Sequence, residues 1–257
     1  MQKVTGLVVG VVACSMTLST ASAALVVTEV VSEDWSGQSV GDTADELVQW
    51  GGLGNAANGI IVDTGGGNLA MQLGQGAGFM KGGLEMGDAL GVTMQFDFTT
   101  PQGSDGWFGI FYRDTSSSVN PVYRVQWNTN QNVIFMRKNN TNLASYNVGS
   151  GFWAGETHTI NFEITFDDAN NQNLLELFVN GESRMTAEDN GGAGDERRPL
   201  PTDNSSIQFF NYNYEATASN LIDNIIISKT IPEPASLSLL ALGGMTLLFR
   251  RGRACAA

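Results

Sequence analysis

The chain has 257 residues, with 26 acidic and 13 basic side chains, one histidine and two cysteines. Four cations (Lys3, Arg250, Arg251 and Arg253) sit in the terminal segments, whereas every acid falls between Glu29 and Glu233, so a chain cut after Ala23 and Pro234 carries 9 − 26 = −17. That field repels phosphate backbones and excludes nucleic acid as a partner; it fits an extracellular domain. The same cuts remove Cys14 and Cys255, which leaves no disulfide, no Cys–His catalysis and no thiolate for zinc.

In chain order, Lys3 leads an apolar stretch over residues 4–18, and Ala21-Ser22-Ala23 follows as a small-x-small site. Residues 1–23 therefore read as a signal peptide, with Ala21 and Ala23 recognised by signal peptidase. Val11-Val12-Ala13-Cys14 carries a second reading, a lipoprotein box acylated at Cys14. Residues 24–231 read as one domain, long enough for a large β-sandwich. Its clearest strand is Val92-Thr93-Met94-Gln95-Phe96-Asp97-Phe98-Thr99, apolar and polar by turns. Further strands are predicted over residues 25–31, 68–73, 107–113, 123–127, 133–138, 159–166, 174–179, 206–211 and 221–228. Asn180-Gly181 predicts a tight hairpin turn. The glycines before Gly91, and those in residues 189–195, read as irregular surface loops. At least nine strands without a sustained helical period predict an all-β, two-sheet antiparallel sandwich.

Pro232-Glu233-Pro234 closes the domain, because each proline lacks an N–H and fixes φ. An apolar run over residues 235–249 follows, and then Arg250, Arg251 and Arg253. Those 15 residues reach about 22 Å as a helix, short of the ~30 Å hydrocarbon core. The arginines place the domain on the outer side. This three-part tail, residues 232–257, resembles the PEP-CTERM sorting signal of Gram-negative bacteria that make exopolysaccharide; an ordinary C-terminal anchor is the alternative. The resemblance implies a transient membrane association through the tail helix and cutting by an exosortase-type transpeptidase near Pro232, Glu233 and Pro234. The domain then becomes extracellular or attached to the cell surface.

Three segments resemble laminin-G-like or concanavalin-A-like jelly rolls: Glu33-Asp34-Trp35-Ser36-Gly37, residues 149–160, where an aromatic-x-Gly turn leads into a long strand, and Leu175-Glu176-Leu177-Phe178-Val179-Asn180-Gly181-Glu182. That resemblance implies a jelly-roll sandwich of a kind used for sugar recognition, with exopolysaccharide as the partner of a non-catalytic module in a biofilm matrix.

Candidate sites follow from residue chemistry. His158 is the only imidazole and reads as a strand-end residue facing solvent, with no Gly-x-Ser-x-Gly elbow for a triad. Glu163 and Asp97 read as solvated strand acids; as a carboxylate pair they would serve a glycoside hydrolase, the alternative to a binding module, with polysaccharide lyase chemistry beside it. Calcium is the cofactor that the oxygen-rich loops suit, either at Asp167, Asp168, Asn170 and Asn171 or between Asp34 and Asp223. Hairpin chemistry explains the first set equally well. Sugar stacking needs exposed rings beside amides, which points to Tyr212 and Tyr214 with Asn211 and Asn213, and to Trp127. On the strand holding Trp127, alternation puts Arg124 and Gln126 opposite Tyr123 and Trp127, and either set suits the outer face.

Overall fold

The structure is a computed structural model that describes residues 25–47, 49–100, 107–114, 122–128, 131–150, 152, 155–167, 169–191, 199–212 and 220–233. The signal peptide and the tail beyond Glu233 therefore lie outside the described residues. One sheet holds β1 (Leu25–Glu33), β3 (Gly59–Gly65), β4 (Asn68–Leu73), β6 (Gly91–Thr99), β11 (Thr157–Asp167), β12 (Gln172–Val179), β13 (Glu182–Asp189) and β15 (Asn220–Pro232). Its order is β13-β12-β11-β6-β15-β4-β3, with β1 also pairing β15. The other sheet holds β2 (Gly51–Gly54), β5 (Ala77–Leu84), β7 (Trp107–Arg113), β8 (Val122–Asn128), β9 (Val133–Lys138), β10 (Thr141–Asn147) and β14 (Ser205–Asn211). Its order is β10-β9-β8-β7-β14-β5-β2. Every strand pairing in both sheets is antiparallel.

The sheets pack face to face through rings. Phe96 of β6 lies 5.1 Å edge-on to Phe209 of β14, and Phe98 stacks on Trp127 of β8 at 5.6 Å. Each ring comes from the apolar half of a period-2 pattern, so alternation alone assembles the core. Trp35 closes one end of it: the residue is fully buried with φ 60°, and its Nε1–H donates to the Ile222 carbonyl at 3.0 Å. The buried Glu33 carboxylate accepts the Trp35 N–H at 3.0 Å and Trp50 Nε1–H at 3.3 Å. The acidic-aromatic segment thus works as a structural clasp.

Three expectations need correction. Of the glycines before Gly91, those of β2, β3 and β5 (Gly51, Gly52, Gly54, Gly59, Gly65, Gly78, Gly82 and Gly83) are strand residues, while Gly37, Gly41, Gly66, Gly67, Gly74, Gly76 and Gly87 lie in turns and loops as expected. Two of the strand glycines, Gly54 and Gly78, escape a propensity reading because they make room for a ring. A Cβ on Gly78 would meet the Phe209 carbonyl at 2.5 Å and the Phe210 ring at 2.7 Å. His158 is buried, not solvated: its ring stacks on Phe152 at 4.3 Å, its Nε2 lies 2.8 Å from the Phe152 carbonyl and its Nδ1 3.1 Å from Asn180 Nδ2. Finally, β15 runs through Pro232, which pairs with Leu25. A strand's last residue tolerates proline because the missing N–H interrupts no continuing ladder.

Candidate functional site

The outer face of the seven-stranded sheet concentrates the chemistry. On β7, Phe108, Ile110 and Tyr112 are buried in the core, so Trp107, Gly109, Phe111 and Arg113 face outward. The same parity turns Arg124, Gln126 and Asn128 outward on β8, Phe135 and Arg137 on β9, and Gln208 and Phe210 on β14. Register lines these up across strands. One row runs Gln208–Phe111–Arg124–Arg137–Asn142, and the next runs Phe210–Gly109–Gln126–Phe135–Ser145. Each crosses five strands, about 19 Å at ~4.8 Å per strand.

Glycines make room for two of the rings. The Phe111 ring lies where a Gly109 Cβ would come within 3.0 Å, and the Phe210 ring covers Gly78 and Gly54. Tyr212 follows β14, its N–H bonded to the Trp107 carbonyl and its ring 4.3 Å from Phe210 and 6.2 Å from Phe111. It is 37% exposed.

The guanidinium groups lie along these rings. Arg124 sits 5.7 Å over Phe111, while Arg137 sits 4.8 Å over Phe135 and 5.5 Å over Trp107. Their hydrogen bonds go to amides: Arg124 Nη2 donates to Asn140 at 3.1 Å, and Arg137 donates to Asn142 at 2.6 Å and to Gln126 at 3.0 Å. Burial lowers the pKa of Arg113, Arg124 and Arg137. It raises that of the Tyr212 phenol, against the pull of Arg124 and Arg113. The phenol is therefore held neutral at ordinary pH, as a donor rather than a base.

The sugar-site expectations divide. Tyr212 lies on this face. Trp127 does not: it is fully buried between Phe98 and Phe108, because it shares parity with the core residues Tyr123 and Val125. Asn211 is also fully buried, following Ile207 and Phe209 inward; its amide donates to the Leu73 and Gly74 carbonyls and its oxygen accepts from Asn220. Asn213 and Tyr214 lie outside the described residues. The residues missed in sequence, Arg113, Arg137, Trp107, Phe111, Phe135 and Gln208, share the outward parity of Arg124 and Gln126.

The residues of the calcium candidates make local hydrogen bonds. Asp167 accepts the Asn170 N–H at 3.1 Å and the Asn170 amide at 2.7 Å, as a hairpin residue does; Asn171 has φ 53°, and Asp168 lies outside the described residues. Asp34 accepts Ser36 N–H and Oγ–H at 3.0 and 2.7 Å. Asp223 accepts the Asn224 N–H and the Asn68 amide and is the cross-strand partner of Asp97. Among the described residues, no group of three or more His, Cys, Asp or Glu side chains is arranged to hold a metal ion.

Burial raises the Asp223 pKa, the Asn224 and Asn68 donors oppose this, and the charges of Asp97 and Asp34 add to the rise. A carboxyl whose folded pKa exceeds its unfolded value stabilises the fold when protonated. That contribution is complete below the ordinary carboxylate range and lost as pH rises through the raised value. Wild type should therefore gain in Tm relative to Asp223→Asn as pH falls from about 7 to about 4. A gap independent of pH would remove the raised pKa.

On the other sheet, Glu163 and Glu176 lie directly opposite one another on β11 and β12, in a groove that also includes Thr186 and Glu188. Glu163 accepts the Asn161 amide at 2.8 Å, and Glu176 accepts the Ser183 hydroxyl.

Two antiparallel sheets with these strand orders define a jelly-roll, lectin-like sandwich. Solved structures share it. An endo-1,3-β-glucanase from Streptomyces sioyaensis matches with TM-score 0.53 at 11% identity, over 80% of this chain and 97% of that one. A Bacillus subtilis protein of unknown function with a galectin-like fold gives 0.51 at 10%, over 80% and 97%. Arcelin-5, a lectin-like defense protein from Phaseolus vulgaris, gives 0.50 at 14%, over 80% and 99%. At these identities the likeness shows the fold. No curated protein matches the chain by sequence. Residues 230–253 match the family described as the PEP-CTERM protein-sorting motif. The chain is thus an exported, cell-surface-targeted protein of the Gram-negative type, carrying a motif that implies processing by an exosortase-type system.

Proposed function

We propose that the protein is a non-catalytic polysaccharide-binding module, delivered to the cell surface or extracellular matrix, and that the outer face of the seven-stranded sheet is its binding surface. The observation that carries this reading is the part-exposed Tyr212 ring packed on Phe210, beside the outward rings Trp107 and Phe135 and the guanidinium of Arg137. Sugar rings stack on such faces while Gln and Asn bond their hydroxyls. Lectin-like and galectin-like neighbours use the same sandwich, which supports the reading by analogy of fold alone.

Removing the Tyr212 ring should weaken binding to the host's own exopolysaccharide by roughly 1–3 kcal/mol, about five- to a hundredfold. Affinity electrophoresis of Tyr212→Ala measures this, with a thermal melt as the folding control. Unchanged retardation of a folded variant sinks the site.

The rival reading is a glycan-active enzyme, favoured by the Glu163–Glu176 pair and by the fold of the glucanase neighbour. Lyase chemistry at Tyr212 would need the phenol as a base, which its raised pKa opposes. Incubation with the host polysaccharide should release neither reducing ends nor unsaturated sugars. Release of either, lost in Glu163→Gln or in a Tyr212→Phe variant, would establish the enzyme.

A further inference from the structure

Resting on that binding role, we infer that the ligand is a carboxylated polysaccharide, a uronic-acid glycan, whose carboxylates are held by Arg124 and Arg137 with Arg113 beside them. Arg124 and Arg137 are cross-strand partners, two like charges directly opposite, an arrangement that is destabilising on its own. Arg113 adds to the repulsion at Arg124. Yet the outward positions of β7, β8, β9 and β14 include no acidic residue, in a chain with 26 acids. Among the described residues, Arg124 and Arg137 donate only to the amides of Asn140, Asn142 and Gln126, and Arg124 Nε is buried without a hydrogen-bond partner. Among the described residues no carboxylate meets Arg124 or Arg137; partly burying these two guanidinium groups against rings is costly, and an incoming carboxylate offsets that cost with a bidentate contact.

Arrangement selects the type of anion. Arg137 lies over the half-buried Phe135 and Trp107, and Arg124 lies over Phe111, which is itself buried, so the apolar plane open to a ligand is the one beside Arg137. A ligand that satisfies both must bear its anion close to a stackable ring. A carboxyl group bonded to a pyranose does so, and its planar oxygens match the guanidinium fork. Outside this face the acidic surface repels such a polymer, which confines binding to the ladder.

The test uses the full chain in mild detergent, in affinity gels containing polygalacturonate, dextran, a sulfated galactan or poly-glutamate. Polygalacturonate should retard the wild type at least tenfold more strongly than the other three. Added salt should weaken that retardation. The double variant R124Q/R137Q should lose it tenfold or more while keeping its melt. As a check independent of any variant, polygalacturonate should raise the wild-type Tm, and dextran should not. Equal retardation by dextran, unaffected by the arginine changes, overturns the anionic ligand and leaves the binding role standing. Equal retardation by sulfated galactan or poly-glutamate overturns the uronate in favour of plain anion exchange. If none of these polymers nor the host polysaccharide is retained, both readings fall.

Discussion

Replacing Asp189 by alanine is expected to destabilise the sandwich by about 3–5 kcal/mol, the cost of leaving a buried ammonium without its anion. Lys138 of β9 and Asp189 of β13 meet at 3.1 Å with both side chains fully buried, and they tie one sheet to the other. Asp189 also accepts the Tyr123 hydroxyl at 2.6 Å and the Gly191 N–H at 2.9 Å, while Asn173 donates to Tyr123 at 2.9 Å and to the Pro199 carbonyl at 2.7 Å. Removing the carboxylate therefore takes an acceptor from Lys138, Tyr123 and the Gly191 N–H at once. A double variant Lys138→Met/Asp189→Leu removes both charges and should recover most of the loss. Urea midpoints of the wild type, the single variant and the double variant measure this. A single variant within about 1 kcal/mol of wild type would mean that water reaches Lys138.

The strands visible in sequence are those whose alternation is clean. The predicted limits of β4, β7 and β9 are the observed ones, and Asn180 and Gly181 form the expected turn with φ 54° and 78°. β2, β3 and β5 stayed hidden because they are glycine-rich, which propensity counts against a strand, although Gly52, Gly54, Gly59 and Gly78 serve close packing there. Lys138 was readable in principle. In Val133-Ile134-Phe135-Met136-Arg137-Lys138 it shares parity with the buried Ile134 and Met136, but a lone lysine at a strand end gives no hint of the Asp189 that meets it 51 residues later.

The binding face was half legible for a similar reason. On β7 both faces carry rings, and on β8 one face carries rings while the other carries polar groups that suit either a buried network or a solvated surface, so alternation gives two sets without saying which is outside. Only pairing decides it: Arg124 stands between Phe111 and Arg137, and Trp127 stands between Phe108 and Ile134. Tyr212 was legible as a residue past a strand end. Its neighbours Phe210 and Phe111 were not, since they come from strands whose adjacency is non-sequential, β7 beside β14.

Changing Pro232-Glu233-Pro234 to three alanines is expected to abolish processing outright and leave a membrane-bound precursor. Residues 230–253 carry the sorting motif, so these changes strike its polar recognition element while sparing the apolar run and the arginines. The fold should not suffer. Leu25–Pro232 forms one compact unit, Pro232 is its last strand residue, and alanine there restores an N–H to the pairing with Leu25. A precursor that keeps residues 235–257 is 257 − 234 = 23 residues longer than a product cut after Pro234, a difference resolved by mass spectrometry of membrane and released fractions. An unchanged melt separates lost sorting from misfolding. Should the variant mature to the wild-type mass and leave the membrane fraction, recognition would lie in the apolar run and arginines alone, and Pro232-Glu233-Pro234 would be only the stop at the end of β15.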